Sequence, residues 1–404
     1  MHNIFCSSIY NMDEYDSLRA HSKVNLSLAD HNLNWNIIKG LDSLSHDGVQ
    51  LINSVPLPSY PNYSKIIIKK QKWNHSLIKQ LVDVDIGCIN LPFLKQISRY
   101  FTCYHELNKI IKNKKNEKIN LLVYDLHLPL VKAIKCIKRK YPSINTCAIL
   151  PDIPDVMINV VYGERPSKLA RYYTHKKMKF INQFDCYVFL TEYMKEKVNV
   201  EKKPYVVVEG MYDEKDNIVV NTLETNKKII LYSGALRLAY GVKQLVDIIT
   251  KMENKKYELW ICGGGELTNY IIEQSRKFDN IKYFGYVSTE KIKELQSRST
   301  VLINPRKNDA EYTKYSFPSK TMEYLASGKP VIAYLLDGYP QDYIPYIICP
   351  IDESDEALKN KIIEICSLPI ETLRQIGERN REFILEKKNP TVQCEKIMKM
   401  LERM

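Results

Sequence analysis

The 404 residues carry a net charge of +12 at pH 7, with 45% hydrophobic and 26% charged side chains; this balance excludes disordered and fibrous chains, and the length points to two domains. No run of 18 apolar residues occurs, and the N-terminus, MHNIFCSSIYNMDEYDSL, lacks the basic, then apolar, then small order of a secretory leader, so neither a membrane span nor secretion is expected. Ten cysteines run from Cys6 to Cys394 without a CxxC pair, which suggests neither a zinc site nor a disulfide framework but the reduced, mostly buried thiols of a cytoplasmic protein.

In chain order, the first segment with a clear pattern is 120–124 (NLLVY), a buried strand. Residues 130–140 (LVKAIKCIKRK) follow with apolar positions 130, 131, 134 and 137 on one helical face and bases on the other. Residues 145–150 (NTCAIL), ended by Pro151, form a second strand, completing a βαβ unit. A further apolar run at 186–190 (CYVFL) leads into a helix with Thr191 as its expected N-cap. A domain boundary is expected at the strand 202–208 (KKPYVVV), and a polar stretch from 213 to 228 precedes a second alternating series. That series has strands at 228–233, 257–262, 281–284, 301–304 and 330–333, with helices at 241–252, 268–277, 289–298, 318–327, 356–367 and 370–386. The last segment, 390–404, places Pro390 at a helix start and Val392, Ile397, Met398 and Leu401 along an apolar stripe. The expected division is 1–204, 205–388 and a closing helix at 389–404. The pattern implies an α/β fold of two doubly wound domains facing a cleft.

The segment 315–333 (YSFPSKTMEYLASGKPVIA) is the most informative. Pro318 suits the first turn of a helix, with Ser316 or Ser319 as cap, and the free amides there with Lys320 make an anion site. Glu323 lies four residues beyond Ser319, where a carboxylate can accept two hydrogen bonds from the vicinal hydroxyls of a ribose. Gly328 is a fitting C-cap.

This string is similar to the donor-site helix of retaining GT-B glycosyltransferases of the glycogen-synthase-like group, family 4, common in bacterial capsule and exopolysaccharide synthesis. Three more segments resemble the family in the right order: LYSG at 231–234 with Gly241, LWICGGG at 259–265, and IKYFGYV at 281–287. The resemblance is strong over 228–335 and looser over 120–210. It implies a GT-B fold, two Rossmann-like domains facing an interdomain cleft. It also implies a donor site drawn from Gly234, Arg237, Val287, Arg306, Tyr315, Ser319, Lys320 and Glu323, and a tail helix that returns to the N-terminal domain. The family's first glutamate, eight residues before Glu323, is replaced by Tyr315, with Glu311 the nearest acid. Its diphosphate-gripping basic pair is replaced by Ala235 and Tyr240, for which Arg237 and Arg306 are the candidate substitutes. No cofactor beyond the nucleotide-sugar donor and no metal is expected, because fixed cations and amides can neutralise the leaving diphosphate. The one Asp-x-Asp string, Asp83-Val-Asp85, lies away from the donor motifs and reads as incidental.

On the acceptor side, His127 follows a strand end and, by the resemblance, faces the transferred sugar as the catalytic candidate. Asp125 and Asp152 stand at neighbouring strand ends as acceptor-side candidates, although Pro-Asp turns also use Asp to hold backbone. Thirty basic and eighteen acidic residues precede residue 205, and twenty-nine of each follow it, so the whole surplus of positive charge lies in the first half. Two segments concentrate it, 66–73 (IIIKKQKW) and 109–118 (KIIKNKKNEK). Lysines interleaved with apolar and aromatic residues suit an anionic membrane surface; no helix-turn-helix, zinc finger or RNP-like string supports nucleic acid as a partner. The expected reaction is sugar transfer, with retention, from a UDP- or GDP-linked sugar to a glycan or polyprenyl-diphosphate-linked acceptor. The expected place is the cytoplasm or the inner membrane face. The alternatives are a GT-B sugar-nucleotide epimerase and a non-catalytic sugar-nucleotide-binding partner subunit.

Overall fold

The structure, a computed structural model, describes residues 1–26, 28–76, 81–114, 117–162, 165–198, 203–213, 227–252, 256–308 and 311–404. Most of the polar stretch 213–228, together with Lys202 and Lys115 of the segments above, lies outside the described residues. The chain divides into two compact units, residues 1–211 with 390–404, and residues 212–389.

The first unit contains β1 (His2–Ser7), α1 (Tyr15–Ala20), α2 (Ala29–Leu44), β2 (Val49–Asn53), β3 (Ile67–Ile68), β4 (Gln71–Trp73), β5 (Asp83–Asp85) and β6 (Cys88–Ile89). There follow α3 (Leu94–Asn113), β7 (Ile119–Tyr124), α4 (Leu128–Lys140), β8 (Asn145–Leu150), α5 (Pro154–Tyr162), α6 (Lys168–Ile181), β9 (Cys186–Phe189), α7 (Met194–Lys197) and β10 (Tyr205–Val207). Eight strands form one sheet in the order β10-β9-β8-β7-β1-β2-β5-β4. All its pairings are parallel except β4 on β5 at the edge. Central strands covered on both faces are buried throughout, as β1 and β7 are. β1 buries His2 and Asn3 as well as its aliphatics, because a polar ladder satisfies them. His2 Nε2 meets Gln50 Oε1 at 3.0 Å, Asn120 donates to Asn3 Oδ1 at 2.9 Å, and Asn145 donates to Asn120 Oδ1 at 3.0 Å.

The boundary falls at Met211 rather than at 204, because β10 pairs in parallel with β9 and so closes the first sheet. Thr191 does not cap a helix: α7 begins only at Met194, with Tyr193 in the cap position and no side-chain cap bond. The Asp83-Val-Asp85 string forms β5, and its carboxylates hold backbone and side chains together. Asp83 accepts from Leu51 N at 2.9 Å and from His75 N and Nδ1 at 2.7 Å each, and Asp85 accepts from Asn53 at 2.8 Å and from Trp73 Nε1 at 3.0 Å.

The second unit contains β11 (Lys228–Ser233), α8 (Val242–Thr250), β12 (Tyr257–Cys262), α9 (Thr268–Lys277), β13 (Ile281–Gly285), α10 (Thr289–Arg298) and β14 (Val301–Asn304). It continues through α11 (Ser319–Ala326), β15 (Val331–Ala333), α12 (Asp355–Ser367) and α13 (Ile370–Lys387). Its five strands are parallel, in the order β13-β12-β11-β14-β15. The apolar face of α8, Val242, Leu245, Val246 and Ile249, is sealed against the strands.

The chain ends in α14 (Pro390–Glu402), which packs on α2 in the first unit. Cys394, Ile397, Met398, Met400 and Leu401 join Ile37, Ile38 and Leu41 in one core. The two helices approach so closely at Gly40 that a Cβ there would stand 2.3 Å from Pro390 O. All ten cysteines are free thiols, eight of them buried. No helix among the described residues is long and apolar enough to cross a membrane.

Candidate functional site

Parallel sheets bind ligands outside the carboxyl ends of their strands, at the point where strand order reverses. In the second unit that point lies between β11 and β14. Gly234 follows β11, and its N–H bonds Cys262 O at 3.0 Å. The glycine turn after β12 nests against it: at Gly263, where φ is +122°, a Cβ would come within 1.9 Å of Gly234 O. Only glycine permits two strand ends to sit this close.

Arg306 leaves the end of β14 and is 7% exposed. Its guanidinium lies 4.7 Å from the Tyr312 ring centre and 5.5 Å from that of Tyr240. Nη2 donates to Ser316 Oγ at 3.0 Å, while Nε is buried without a partner. Arg237, from the β11 loop, lies 5.8 Å from the same Tyr240 ring. Two guanidinium groups therefore converge on Tyr240.

α11 is anchored beside these groups. The Tyr324 hydroxyl accepts from Ser233 N at 2.7 Å and donates to Ser233 O at 3.0 Å, and Asn304 donates to Thr321 Oγ1 at 3.0 Å. The cap differs from expectation: Pro318 occupies the N-cap position with no side-chain cap bond. Ser316 instead accepts from Arg306, and no side chain at the N-cap position bonds the first-turn amides of α11. Ser319 is exposed, and Lys320 forms an ion pair with Glu323 at 2.5 Å. Tyr315 is buried at 3% exposure, an aromatic core residue rather than a surface group, and Glu311 is exposed. Val287 lies just past β13, half-buried.

In the first unit, the order reverses between β1 and β7, and a cavity of about 530 Å³ opens there. Ser8 and Tyr10 after β1, Leu57 after β2, Asp125 and His127 after β7, and Asp152 after β8 line it, with Lys177 of α6. The structure thus brings His127, Asp125 and Asp152 to one wall. Asp125 takes a left-handed backbone, φ +57°, and meets Lys177 Nζ at 3.1 Å. His127 caps α4 by position only, with no side-chain cap bond, and its buried Nδ1 has no hydrogen-bond partner. Burial, and then the cations Arg99, Lys177 and Lys95, hold its pKa well below the ordinary imidazole value, so the ring is neutral at pH 7.

Lys95 and Arg99 escape a reading by motif. They sit one turn apart on α3, each 5% exposed. Arg99 donates to Val55 O at 2.6 Å and Lys95 donates to Leu57 O, behind the cavity wall. Burial, and then Arg99, pull Lys95 down to about 8. Their i, i+4 spacing in an otherwise amphipathic helix was the one available signal.

The basic stretches divide. Ile66 and Ile67 are exposed with Lys69, but Trp73 turns inward, its ring 6.4 Å from that of Trp35, so it is no interfacial anchor. Lys70 pairs with Glu106, Lys114 with Glu117, and Lys118 donates to the carbonyls of Leu401 and Glu402. Lys109 and Lys112 remain exposed on α3.

Residues 213–383 match the family described as glycosyl transferases group 1. No curated protein matches the sequence. Among solved structures, sucrose-phosphate synthase from Thermosynechococcus elongatus aligns with a TM-score of 0.67 at 15% identity, covering 100% of both chains. A glycosyltransferase from Rickettsia africae aligns at 0.61 and 15% identity, covering 100% of this chain and 98% of that one. WaaG, a glycosyltransferase involved in lipopolysaccharide biosynthesis, aligns at 0.58 and 11% identity, covering 98% and 99%. The protein thus has a GT-B fold of two Rossmann-like units, the second of which is similar over residues 213–383 to the glycosyl transferases of group 1.

Proposed function

We propose that the protein transfers a hexosyl group, with retention, from a UDP- or GDP-linked sugar to a glycan acceptor carried on a lipid. The observation that carries the reading is the convergence of Arg306 and Arg237 on Tyr240, beside the glycine turns and the start of α11. A buried guanidinium with one hydrogen bond and a buried Nε lacking a partner has donors to spare for a diphosphate. The donor's ribose hydroxyls meet Glu323, which exchanges its Lys320 partner for them, and Lys320 turns to phosphate.

In the reaction, the bond from the anomeric carbon to the phosphate oxygen breaks and a bond to the acceptor hydroxyl oxygen forms on the same face. The acceptor's proton passes to the leaving phosphate oxygen. Negative charge grows on the diphosphate, where Arg306, Arg237, Lys320 and the α11 amides stabilise it. Neutral His127 hydrogen-bonds the transferred sugar, and Asp125 and Asp152 orient the acceptor. Fixed cations in this arrangement do the work that a divalent metal does elsewhere.

The test is calorimetric titration of UDP- and GDP-sugars followed by a sugar-release assay with and without acceptor. Glu323→Gln removes a charge-assisted pair of about 1.5–3 kcal/mol and is expected to weaken nucleotide binding by about one to two decades. Unchanged affinity would overturn the ribose assignment. Binding without turnover would favour a non-catalytic partner subunit, and an epimerised sugar released without acceptor would favour an epimerase.

A further inference from the structure

The first two turns of α3 are inside out. Lys95 and Arg99 are buried, whereas Leu94 is 45%, Ile97 54% and Phe101 61% exposed. Among the described residues no carboxylate pairs with either buried cation, and no apolar element covers the outward stripe. Each half of this arrangement is unfavourable alone: buried charges want a counter-charge, and large aliphatic and aromatic side chains want burial. A ligand with an anionic head in the adjoining cavity would lie in the field of the two cations, and an apolar tail would cover the outward stripe.

The surface offers a place for such a ligand. A groove of about 400 Å³ runs between α3, α4 and α6, lined by Phe93, Ile97, Tyr100, Leu128 and Tyr172, with Lys132 and Lys176 at its rim. It adjoins the His127 cavity: Tyr173 lines both, and Leu128 follows His127 directly. From the groove the apolar stripe continues over Ile97 to Phe101. Phe93 holds a positive φ of 63° and is 71% exposed.

We propose that this groove holds the apolar chain of a phosphate-bearing lipid acceptor, whose polar head occupies the adjoining cavity. The inference rests on the reading of that cavity as the acceptor side. The phosphate lies towards Lys177, in the field of Lys95 and Arg99, and the chain leaves between α3 and α6 with Lys132 and Lys176 flanking it.

The experiment titrates the full chain with butyl, octyl and dodecyl phosphate, each below its micellar concentration, and with dodecyl maltoside as the uncharged control. Affinity is expected to rise about two- to fourfold for each methylene added, the upper value being that of full burial. Dodecyl phosphate is expected to bind at least tenfold tighter than the maltoside. Ile97→Asp and Tyr172→Asp, both at exposed positions, are each expected to flatten the series to the butyl value without changing UDP or GDP binding. A flat series in the unmodified protein, or the same slope in both variants, would overturn the groove assignment. Equal binding of the phosphate and the maltoside would overturn the anionic head. A dimer that Ile97→Asp converts to monomer, with no chain-length slope, would assign the face to a second copy of the chain instead. Absence of UDP and GDP binding in the unmodified protein would end the glycosyltransferase reading while a chain-length slope still upheld the groove.

Discussion

Replacing Arg306 by Met separates a role in ligand binding from a role in folding. Burying a guanidinium costs several kcal/mol. Against this, its hydrogen bond to Ser316 contributes about 1.5–3 kcal/mol, and its contacts with the Tyr312 and Tyr240 rings about 0.5–2 kcal/mol each. These contributions nearly cancel in the ligand-free protein. Methionine fills much of the same space between the rings, so Arg306→Met is expected to change unfolding free energy by no more than about 1 kcal/mol, a shift of about 2–4 °C in Tm for a unit of this size. Diphosphate binding responds differently. Each charge-assisted hydrogen bond lost costs about 1.5–3 kcal/mol, or about one to two decades in affinity. Titration of UDP and GDP beside UMP and GMP reads the effect: the diphosphates are expected to weaken at least tenfold and the monophosphates about twofold at most. Equal losses for both sets, or a large fall in Tm with diphosphate affinity intact, would refute the assignment and leave Arg306 a structural residue.

His127→Ala is expected to lower kcat by about one to two decades with donor affinity nearly unchanged. Because the ring is held neutral, kcat in the unmodified enzyme is expected to show no acid limb near pH 6.5 that the variant abolishes; finding one would contradict the buried, neutral ring. His75 behaves oppositely. Burial disfavours its charge, but a hydrogen bond to Asp83 and the charges of Asp83 and of Asp42, 3.6 Å away, outweigh that and raise it to about 9. Its stabilisation, on the order of 3 kcal/mol, is fully present below about pH 6.5 and is lost as pH rises through 9. Denaturant unfolding of His75→Gln is therefore expected to differ most from the unmodified protein at pH 6 and least at pH 10, and a difference independent of pH would disprove the ion cluster. Ile397→Ala opens a cavity in the α2–α14 core and is expected to destabilise the first unit by about 2–5 kcal/mol, leaving nucleotide binding by the second intact. A loss of nucleotide affinity equal to the loss of stability would show that the two units do not unfold independently.

Local apolar pattern alone located the strands at 120–124, 145–150, 228–233, 257–262 and 301–304, since strands buried on both faces read as short continuous apolar runs. The start of a helix just before Lys320 and the glycine turns were equally legible, because each depends on residues within one turn of one another; the cap was not, since Ser316 turns to Arg306 instead. The first 119 residues were not. β1 opens with His2 and Asn3, and these are buried only because Gln50, Ser45 and Asn120 lie beside them in space. Inward-facing Lys95 and Arg99 hide α3's true face, and their partners are carbonyls some forty residues earlier. The meeting of Arg237 and Arg306 at Tyr240 joins the ends of two neighbouring strands far apart in the chain. Sequence determined which segments become strands and helices, because that choice follows from neighbours along the chain. Tertiary structure alone decided where buried polar and charged groups find their partners, because a hydrogen bond or a counter-charge is fixed by distance in space, and no periodicity records it.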